Sequence, residues 1–196
     1  MMRICKGVYL LKVGELERDG DLIKRASSSV VFIEDVRTLV DSGFKSDCRA
    51  IILALERLGF SPKDVEAIIN THLHRDHTGC NELFRCEKYA HELQIEAAGV
   101  QSTYLPYEEF FRSFNARGIE IIETPGHCFG HISVVVHADK RVVVAGDAVP
   151  RRGNLLQDVP PRLHVDRKAA MRSIKMIKEI ADIVVPGHDT PLTLRH

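Results

Sequence analysis

The chain has 196 residues, and its 27 lysine and arginine residues balance 27 aspartate and glutamate residues, so the formal net charge is +0. This length fits one domain over residues 1–196, and the balanced charge provides no overall field that favours nucleic acid or an acidic membrane. Hydrophobic residues make up 44% of the chain, which is enough for a core, whereas tryptophan is absent, which weakens any function based on base stacking.

The lack of a targeting pattern and the arrangement of the cysteines point to the same compartment. No apolar run approaches the roughly 18 residues of a membrane helix, and the N-terminal stretch lacks a signal peptide's long apolar region. Five cysteines without a C-x-x-C pair predict free thiols in a reducing compartment, so a cytoplasmic protein is expected. Cys80 and Cys128 lie beside histidine motifs and are candidate ligands, although small buried side chains are the simpler interpretation. The cysteines are Cys5, Cys48, Cys80, Cys86 and Cys128.

The first part of the chain predicts three strands. Segments 7–14, 27–34 and 38–43 are short, apolar and bounded by turn residues, which is typical of successive antiparallel strands. The polar segment 15–26 between the first two carries an Asp-Gly turn at Gly20. We therefore predict a loop there.

The pattern then changes to helical spacing. Apolar residues recur every three or four positions over 46–60, which predicts a helix, and 65–72 is a short apolar strand after it. Segment 79–84 predicts a short helix, 86–91 a strand and 92–99 one or two helical turns. From 100 to 117 the pattern is mixed.

The second part predicts more strands and one long amphipathic helix. The predicted strands cover 119–127, 132–139, 141–149 and 182–189, and the middle two form a hairpin that turns near Lys140. The proline-punctuated segment 150–165 is predicted to be a loop, and 166–181 an amphipathic helix. Helices that alternate with two groups of strands predict an α/β fold of the α+β type, a four-layer αββα sandwich.

Metal-type ligands follow four of the predicted strands. The run "HLHRDH" lies at the end of the strand predicted at 65–72, and "TPGH", "GD" and "PGHD" end three later strands. Because strand ends gather distant residues at one edge of a sheet, these side chains are expected to meet. The candidate ligands are His72, His74, Asp76, His77, His127, Asp147 and His188.

Alternation of side chains divides this set into two predicted metal sites. His72 and His74 point the same way along an extended stretch, whereas Asp76 and His77 turn toward a second position. His127 would complete the first site and His188 the second.

Asp147 has two carboxylate oxygens and could bridge both ions. Imidazole and carboxylate ligands without thiolate fit two divalent ions, with Zn²⁺ first and Fe²⁺, Mn²⁺ or Co²⁺ as alternatives. Two ions would hold a bridging hydroxide for hydrolysis, and Asp76 is a catalytic candidate that ligates first and handles a proton second.

The four motifs, in this order over nearly the whole chain, resemble the metallo-β-lactamase fold superfamily. The resemblance implies the αββα fold, a dinuclear centre with a glyoxalase II-like ligand set and a metal-bound hydroxide. In "LVDSG", Asp41 would support the metal loops. The best-known zinc β-lactamases have cysteine where Asp147 stands, so antibiotic hydrolysis is not expected, and His74 argues against the flavodiiron branch.

The remaining features favour a compact member of that superfamily. The chain ends shortly after His188, so neither the helical domain of glyoxalase II nor the inserted domain of long RNA-processing members is expected. The tail most resembles the compact group around metallo-β-lactamase domain-containing protein 1, whose members are small hydrolases, one of them linked to RNA cleavage.

Three functions stay open at this point. The first is hydrolysis of an ester, thioester or lactone, with a small carbonyl substrate, no membrane partner and a homodimer as one assembly. The second is a ribonuclease, favoured by basic residues after Asp147, which could clamp phosphate or form an ordinary solvated surface. The third is a mononuclear iron persulfide dioxygenase, and a non-catalytic binding module is the alternative outside catalysis. The basic residues are Arg151, Arg152, Arg162, Arg167 and Lys168.

Several polar residues near the motifs have two interpretations. His131 is either a donor behind the ligands, a substrate contact or a packing residue. Arg75 either faces the cleft or is solvated, and Asn154 is a candidate polar contact. Histidines outside the motifs are assigned structural or surface roles, namely His91, His137, His164 and His196.

Overall fold

The computed structural model describes residues 1–194, and His196 lies outside the described residues. In chain order the strands are β1 (Met2–Cys5), β2 (Val8–Lys12), β3 (Glu15–Asp19), β4 (Leu22–Ser27), β5 (Val30–Ile33), β6 (Thr38–Val40), β7 (Ala67–Ile69), β8 (Glu87–Ala90), β9 (Leu105–Pro106), β10 (Ile119–Glu123), β11 (Ile132–His137), β12 (Arg141–Gly146), β13 (Ile183–Pro186) and β14 (Leu192–Thr193). The α-helices are α1 (Cys48–Glu56), α2 (Arg75–Thr78), α3 (Glu92–Ala98), α4 (Phe110–Ser113), α5 (Arg152–Leu156) and α6 (Arg167–Ile180). Across residues 1–194, no helix has the length and apolar character needed to cross a bilayer.

Two sheets account for most of the strands. The first has the order β1-β2-β5-β6-β7-β8-β9 and the second the order β10-β11-β12-β13-β14. β2, β5 and β6 pair antiparallel, as predicted, whereas β6, β7 and β8 pair in parallel, with α1 between β6 and β7 in the chain. β11 and β12 form the predicted hairpin, and β12 pairs in parallel with β13.

The two sheets pack face to face, with helices on both outer faces. Val31 of the first sheet and Val134 of the second belong to one buried cluster. On the outer face of the first sheet, Leu55 of α1 is fully buried, and on that of the second sheet Ile174 and Ile177 of α6 are buried. Each such side chain contributes roughly 1.5–3 kcal/mol through its burial. The predicted αββα sandwich is confirmed.

The predicted loop at 15–26 is wrong, because this segment is a two-stranded hairpin of β3 and β4. Its turn contains Gly20 at φ +58°, as the Asp-Gly pair suggested. Most of its side chains are charged and exposed, so the apolar alternation typical of a half-buried strand is weak. Backbone pairing, which leaves little trace in the sequence, holds the hairpin together.

The predicted loop at 150–165 also needs correction, because it contains α5. The backbone N–H of Arg151 donates to Asn154 Oδ1 at 3.0 Å and caps the start of this helix. Only Leu155 of its five residues is buried, so the helix is too short to show a periodic pattern. The short strands β1, β9 and β14 were missed for the same reason.

Cys48 and Cys80 form a disulfide, so the prediction that all cysteines are free thiols is wrong for this pair. The two residues lie 32 positions apart, and packing of the start of α1 against the chain after α2 brings them together. Closing a loop of this length stabilises the fold by about 3–4 kcal/mol. Cys80 is therefore not a metal ligand, whereas Cys5, Cys86 and Cys128 are free.

Candidate metal centre

Strand ends from both sheets bring the seven predicted ligands together. β10, β12 and β13 run in the same direction, and the residues that follow them carry His127, Asp147 and His188. β7 of the other sheet leads into His72, and the short helix α2 then carries Asp76 and His77. The short helix predicted at 79–84 is instead α2 followed by a 3-10 turn at 81–83.

A glycine shapes the turn that carries His127. Gly126 has φ +134°, and a Cβ there would lie 2.3 Å from the Cα of Ala170 in α6. The turn can therefore approach the helix only with glycine at this position. This close packing aims His127 at the strand ends.

Three histidines form the first group. His72 Nε2 lies 2.8 Å from His74 Nδ1, and His127 Nε2 lies 3.2 Å from the same atom. Nitrogens bound to one zinc ion at about 2.1 Å lie about 3.4 Å apart in a tetrahedron, so the observed spacing is close to that of a metal site. His74 thus faces the group with Nδ1, whereas the other two face it with Nε2.

Asp76, His77 and His188 form the second group. Asp76 Oδ2 lies 3.5 Å from His188 Nε2 and 3.9 Å from His77 Nε2. All three facing atoms fall within 4.8 Å of one another. His72, His77 and Asp147 also fall within 4.8 Å of one another, so the two groups adjoin.

Asp147 lies between the two groups. Its Oδ1 is 3.1 Å from His188 Nε2 and 3.6 Å from His77 Nε2, whereas its Oδ2 is 3.5 Å from His127 Nε2. One carboxylate therefore faces both groups, one oxygen to each side. This is the position that a bridging ligand requires.

Hydrogen bonds behind the rings fix their orientation. His127 Nδ1 lies 2.9 Å from the carbonyl of Leu163, and His188 Nδ1 lies 2.9 Å from the carbonyl of Ser27. His77 Nδ1 lies 2.7 Å from Asp41 Oδ2. Because these partners accept hydrogen bonds, each Nδ1 carries a proton, and in the neutral ring that binds a metal ion each Nε2 would point its lone pair into the centre. Asp41 thus supports the loop, as predicted.

Burial keeps two rings neutral. Burial and the neighbouring His77 hold the pKa of His72 well below its ordinary value. Burial and the nearby His127 lower the pKa of His74 in the same direction. Neutral imidazole is the form that binds a metal ion, so both rings are ready to ligate near neutral pH.

The second group and Asp147 carry opposite charges in the metal-free protein. Burial opposes the charge of His77, but Asp41 and Asp147 raise its pKa well above the ordinary value. Burial also opposes the charge of His188, whose pKa Asp147 raises. Burial of Asp147 disfavours its charge, yet His188 and His77 hold its pKa well below the ordinary value.

Two buried atoms in this centre make no hydrogen bond of regular geometry, although His188 Nε2 lies 3.1 Å from one of them. They are His77 Nε2 and Asp147 Oδ1, and both face the interior of the ligand set. Leaving such atoms unsatisfied costs about 1–3 kcal/mol each, and a metal ion would satisfy both. The donor set of nitrogens and carboxylate oxygens fits divalent ions such as Zn²⁺.

Metal affinity is expected to rise with pH across neutrality. Asp147 and its neighbours raise the pKa of His77 and of His188 above the ordinary 6.5, so near neutral pH both rings hold more of their proton than an ordinary histidine and release it on binding. Rings with lowered pKa, such as His72, release none. Calorimetric titration with Zn²⁺ in buffers of different ionisation enthalpy measures this release, and a value near zero at pH 7 would contradict the assignment.

Gly187→Ala is expected to weaken metal binding by about 10- to 100-fold. A Cβ at Gly187 would lie 2.3 Å from Asp147 Oδ1 and 3.0 Å from the carbonyl of Gly146, so the carboxylate must leave its position. Competition with a chromogenic chelator measures the affinity. Gly153→Ala is the matched control, because a Cβ at Gly153 meets nothing within 4 Å. Equal affinities in both variants would contradict this steric argument.

His131 acts behind the ligands rather than on the substrate. It is fully buried, and its Nε2 accepts the backbone N–H of Asp147 at 3.1 Å. Its Nδ1 then carries the proton and donates to Thr124 Oγ1 at 2.9 Å, and Thr124 in turn contacts Ser133 Oγ at 2.8 Å. Burial holds the pKa of His131 well below its ordinary value, so the ring stays neutral and holds the backbone at Asp147.

Other residues singled out from the sequence lie outside the ligand set. Burial, with the nearby charge of Asp147, raises the pKa of Cys128 to about 12, so this thiol stays protonated and is a poor ligand. Arg75 is exposed at the start of α2. His91 caps α3 by accepting from the N–H of Leu93, and His137 is half-exposed beside Glu120. His164 Nδ1 lies 2.6 Å from the carbonyl of Pro161.

A cleft of about 450 Å³ opens onto the centre at His74, Asp76, His127, Asp147 and His188. One wall is the β3–β4 hairpin and the other is the segment 150–163. The hairpin wall was not predicted, although the Asp-Gly pair that ends at Gly20 was a signal for a hairpin turn. The hairpin residues in the wall are Leu16, Arg18, Ile23 and Ala26.

The basic residues after Asp147 have mainly structural partners. Arg151 donates to the carbonyl of Leu16, and Arg162 donates to the carbonyl of Gly20 at 3.3 Å and pairs with Asp21. Both guanidinium groups thus tie the 150–163 segment to the hairpin across the cleft. Asn154 binds the carbonyls of Val159 and Pro160 and so shapes the same segment. Arg152 donates to Thr190, and Arg167 and Lys168 are exposed at the start of α6.

The chain is similar to known proteins in sequence and in fold. A family model described as metallo-beta-lactamase superfamily matches residues 23–93 and 101–188. Among solved structures, a metallo-β-lactamase-type protein of Thermotoga maritima superimposes with a TM-score of 0.74 at 23% identity, over 95% of this chain and 98% of that one. This similarity concerns the fold.

Three curated relatives illustrate the range of sequence matches. The protein designated probable metallo-hydrolase MJ0296 of Methanocaldococcus jannaschii is 39% identical over 93% of this chain and 86% of its own length. Metallo-beta-lactamase domain-containing protein 1 of Mus musculus is 35% identical over 78% of this chain and 59% of its own length. An N-acyl homoserine lactonase of Bacillus cereus is 32% identical over 71% of this chain and 62% of its own length.

Proposed function

The chain belongs to the metallo-β-lactamase superfamily and is a metal-dependent hydrolase, and we propose that it cleaves a small ester, thioester or lactone with two divalent ions. The observation that carries the proposal is the convergence of seven side chains with nitrogen and carboxylate donors, among which two buried atoms, His77 Nε2 and Asp147 Oδ1, make no hydrogen bond of regular geometry.

The two groups described above would hold one ion each. His72, His74 and His127 would bind the first, and Asp76, His77 and His188 the second, with Asp147 between them. The ions, with Zn²⁺ as the first choice, would polarise the substrate carbonyl and lower the pKa of a water between them to near 7, so that hydroxide is the nucleophile. Asp76, His77 and His188 form a second group able to hold an ion, which favours two ions over the single iron of a dioxygenase.

The protein's own groups supply orientation and proton handling. Asp76 is only partly buried and lines the cleft, so its carboxylate can reach both the centre and a substrate there. We assign Asp76 as a ligand first and as the acceptor of a proton second. His131, Asp41 and the carbonyls of Leu163 and Ser27 hold the ligands without contacting the substrate.

The cleft favours a small carbonyl compound. Apolar side chains of the hairpin and of the 150–163 segment line it, which suits an acyl chain or lactone ring. The N-acyl homoserine lactonase among the relatives, by its name, acts on such a compound. The ribonuclease alternative rested on a basic phosphate clamp and on the resemblance to the compact group. Arg151 and Arg162 already bind the hairpin, which weakens the first of these two supports.

The test is a comparison of substrates with the zinc-loaded protein. Elemental analysis is expected to find two ions per chain, and the protein should hydrolyse thioesters or lactones faster than a single-stranded RNA of equal concentration at one fixed salt concentration. Chelation should abolish the activity, and Zn²⁺ should restore it. Faster RNA cleavage with steep salt dependence would overturn the carbonyl proposal, and one tightly bound ion per fully active chain would overturn the dinuclear one.

A further inference from the structure

The β3–β4 hairpin presents one face to the cleft and the other to solvent. Cross-strand partners share a face of an antiparallel pair, and two such pairs, Leu16 with Ala26 and Arg18 with Ile23, all line the cleft. The alternate residues along β3, Glu15, Glu17 and Asp19, are exposed. Arg18 thus stands on the cleft face of a strand whose acidic residues point away from it.

A bulge produces this arrangement. Glu17 pairs with Arg25 and Arg18 pairs with Ile23, so Lys24 is the extra residue on β4. The extra residue shifts the register, which allows Ile23 and Ala26 to face the cleft although they are three positions apart. Bulges beside active sites re-aim side chains in this way.

Arg18 differs from the other two guanidinium groups of the cleft. Arg151 and Arg162 donate to the hairpin, as described above. Arg18 is partly buried in the wall, and within residues 1–194 its side chain has no hydrogen bond or ion pair. A guanidinium carries five N–H donors, so a partly desolvated one without an acceptor is suited to bind an anion.

The rest of the lining offers Arg18 no carboxylate of its own. Among the described residues of the cleft, the acidic ones are Asp76 and Asp147, and both belong to the metal centre. The apolar part of the lining includes Leu16, Ile23 and Leu163. The cleft therefore combines the metal centre, apolar wall residues and one cation without a partner.

We propose that Arg18 binds a carboxylate on the substrate, so that the preferred substrate is an ester, thioester or lactone with an apolar segment and a separate anionic group. This inference rests on the proposed function for the hydrolysis itself, although the binding of the anion does not depend on it. A carboxylate would form two parallel hydrogen bonds with the guanidinium, and a charge-assisted contact of this kind strengthens binding by about tenfold or more.

The test separates binding from turnover. Two 4-nitrophenyl esters differ only at the far end of the acyl chain, which is a carboxylate in the glutarate monoester and a methyl group in the pentanoate ester. The matching 4-nitroanilides resist cleavage and report binding alone. We expect the zinc-loaded protein to bind the glutaryl anilide about tenfold more tightly than the pentanoyl anilide. In Arg18→Gln this preference should fall to about one. Lys24→Gln removes the same charge from the same hairpin outside the cleft, where Lys24 is exposed and paired with Asp19, and should keep the preference.

Each result has one meaning. Equal binding of the two anilides by the native protein would overturn the anion site, and so would a preference that Arg18→Gln leaves intact, because the carboxylate would then sit on the metal ions. An equal loss of preference in Lys24→Gln would show that the overall charge of the hairpin, and not a specific contact of Arg18, attracts the carboxylate. This result would also overturn the anion site. If the preference depends on Arg18 but neither ester is cleaved, the anion site stands and the proposed hydrolysis of these esters fails.

Discussion

Asp147→Asn is expected to lower kcat/KM by more than about 100-fold and to reduce the metal content from two ions per chain to one or fewer. Asparagine has nearly the same shape, but it has no charge and only one acceptor oxygen. The carboxylate of Asp147 lies 3.1 Å from His188 Nε2 on one side and 3.5 Å from His127 Nε2 on the other. An amide in this position places N–H groups against at least one of the two ions.

The measurement combines elemental analysis after gel filtration with kinetics on the best ester or thioester of the panel. Asp139→Asn is a suitable control, since this residue is exposed in the turn at the far end of the β11–β12 hairpin and accepts the N–H of Lys6. The control should keep both ions and full activity. Full activity of Asp147→Asn with both ions bound would refute the bridging role.

Residues at the centre could be predicted from the sequence because each follows a run of β-branched residues. His72, His127, Asp147 and His188 all lie just past a strand, and a sheet brings strand ends to one edge whatever their separation in the chain. The pattern is strong because these strands are buried. Their residues must therefore be apolar, and the ligands follow at the point where each strand ends.

The walls of the cleft could not be predicted in the same way. The β3–β4 hairpin is exposed, and its pairing depends on backbone hydrogen bonds and a bulge at Lys24 rather than on apolar periodicity. The helix α5 buries one side chain, Leu155, so no pattern distinguishes it from a loop. Substrate specificity lies in these walls, which explains why chemistry could be predicted more readily than the substrate.

Long-range pairing was a second limit. The disulfide between Cys48 and Cys80 depends on how the start of α1 packs against the chain after α2, and spacing in the sequence does not reveal that packing. The same holds for the bonds from Arg151 and Arg162 to the hairpin. These arginines resembled a phosphate clamp in sequence because their acceptors lie more than 100 residues away.

Asp41→Asn is expected to destabilise the metal-free protein by about 3 kcal/mol and to weaken binding of the second ion by about 10- to 100-fold. Asp41 is buried, and its oxygens accept from the N–H of Thr71 at 2.8 Å, from Thr71 Oγ1 at 2.8 Å and from His77 Nδ1 at 2.7 Å. An amide has one acceptor oxygen and an NH2 group that only donates. At least one of these hydrogen bonds would therefore be replaced by two donors that face each other.

The backbone is not the cause of this effect. Asp41 has φ +57°, a left-handed conformation that asparagine also adopts readily, so the substitution keeps the turn and changes only the carboxylate. Asp158 has φ +50° and an exposed carboxylate beside Lys178. Asp158→Asn is therefore a matched control with the same chemical change in the same backbone conformation, and it should shift stability by less than about 0.5 kcal/mol.

Urea unfolding of the metal-free proteins and zinc titration of each variant test the two parts of the Asp41 prediction separately. If Asp41 positions His77, binding of the second ion should weaken while the ion at His72, His74 and His127 stays bound. Loss of both ions together would indicate that the whole loop collapses and that Asp41 is only structural. Native-like stability and two tightly bound ions in Asp41→Asn would show that the ring of His77 does not need this carboxylate.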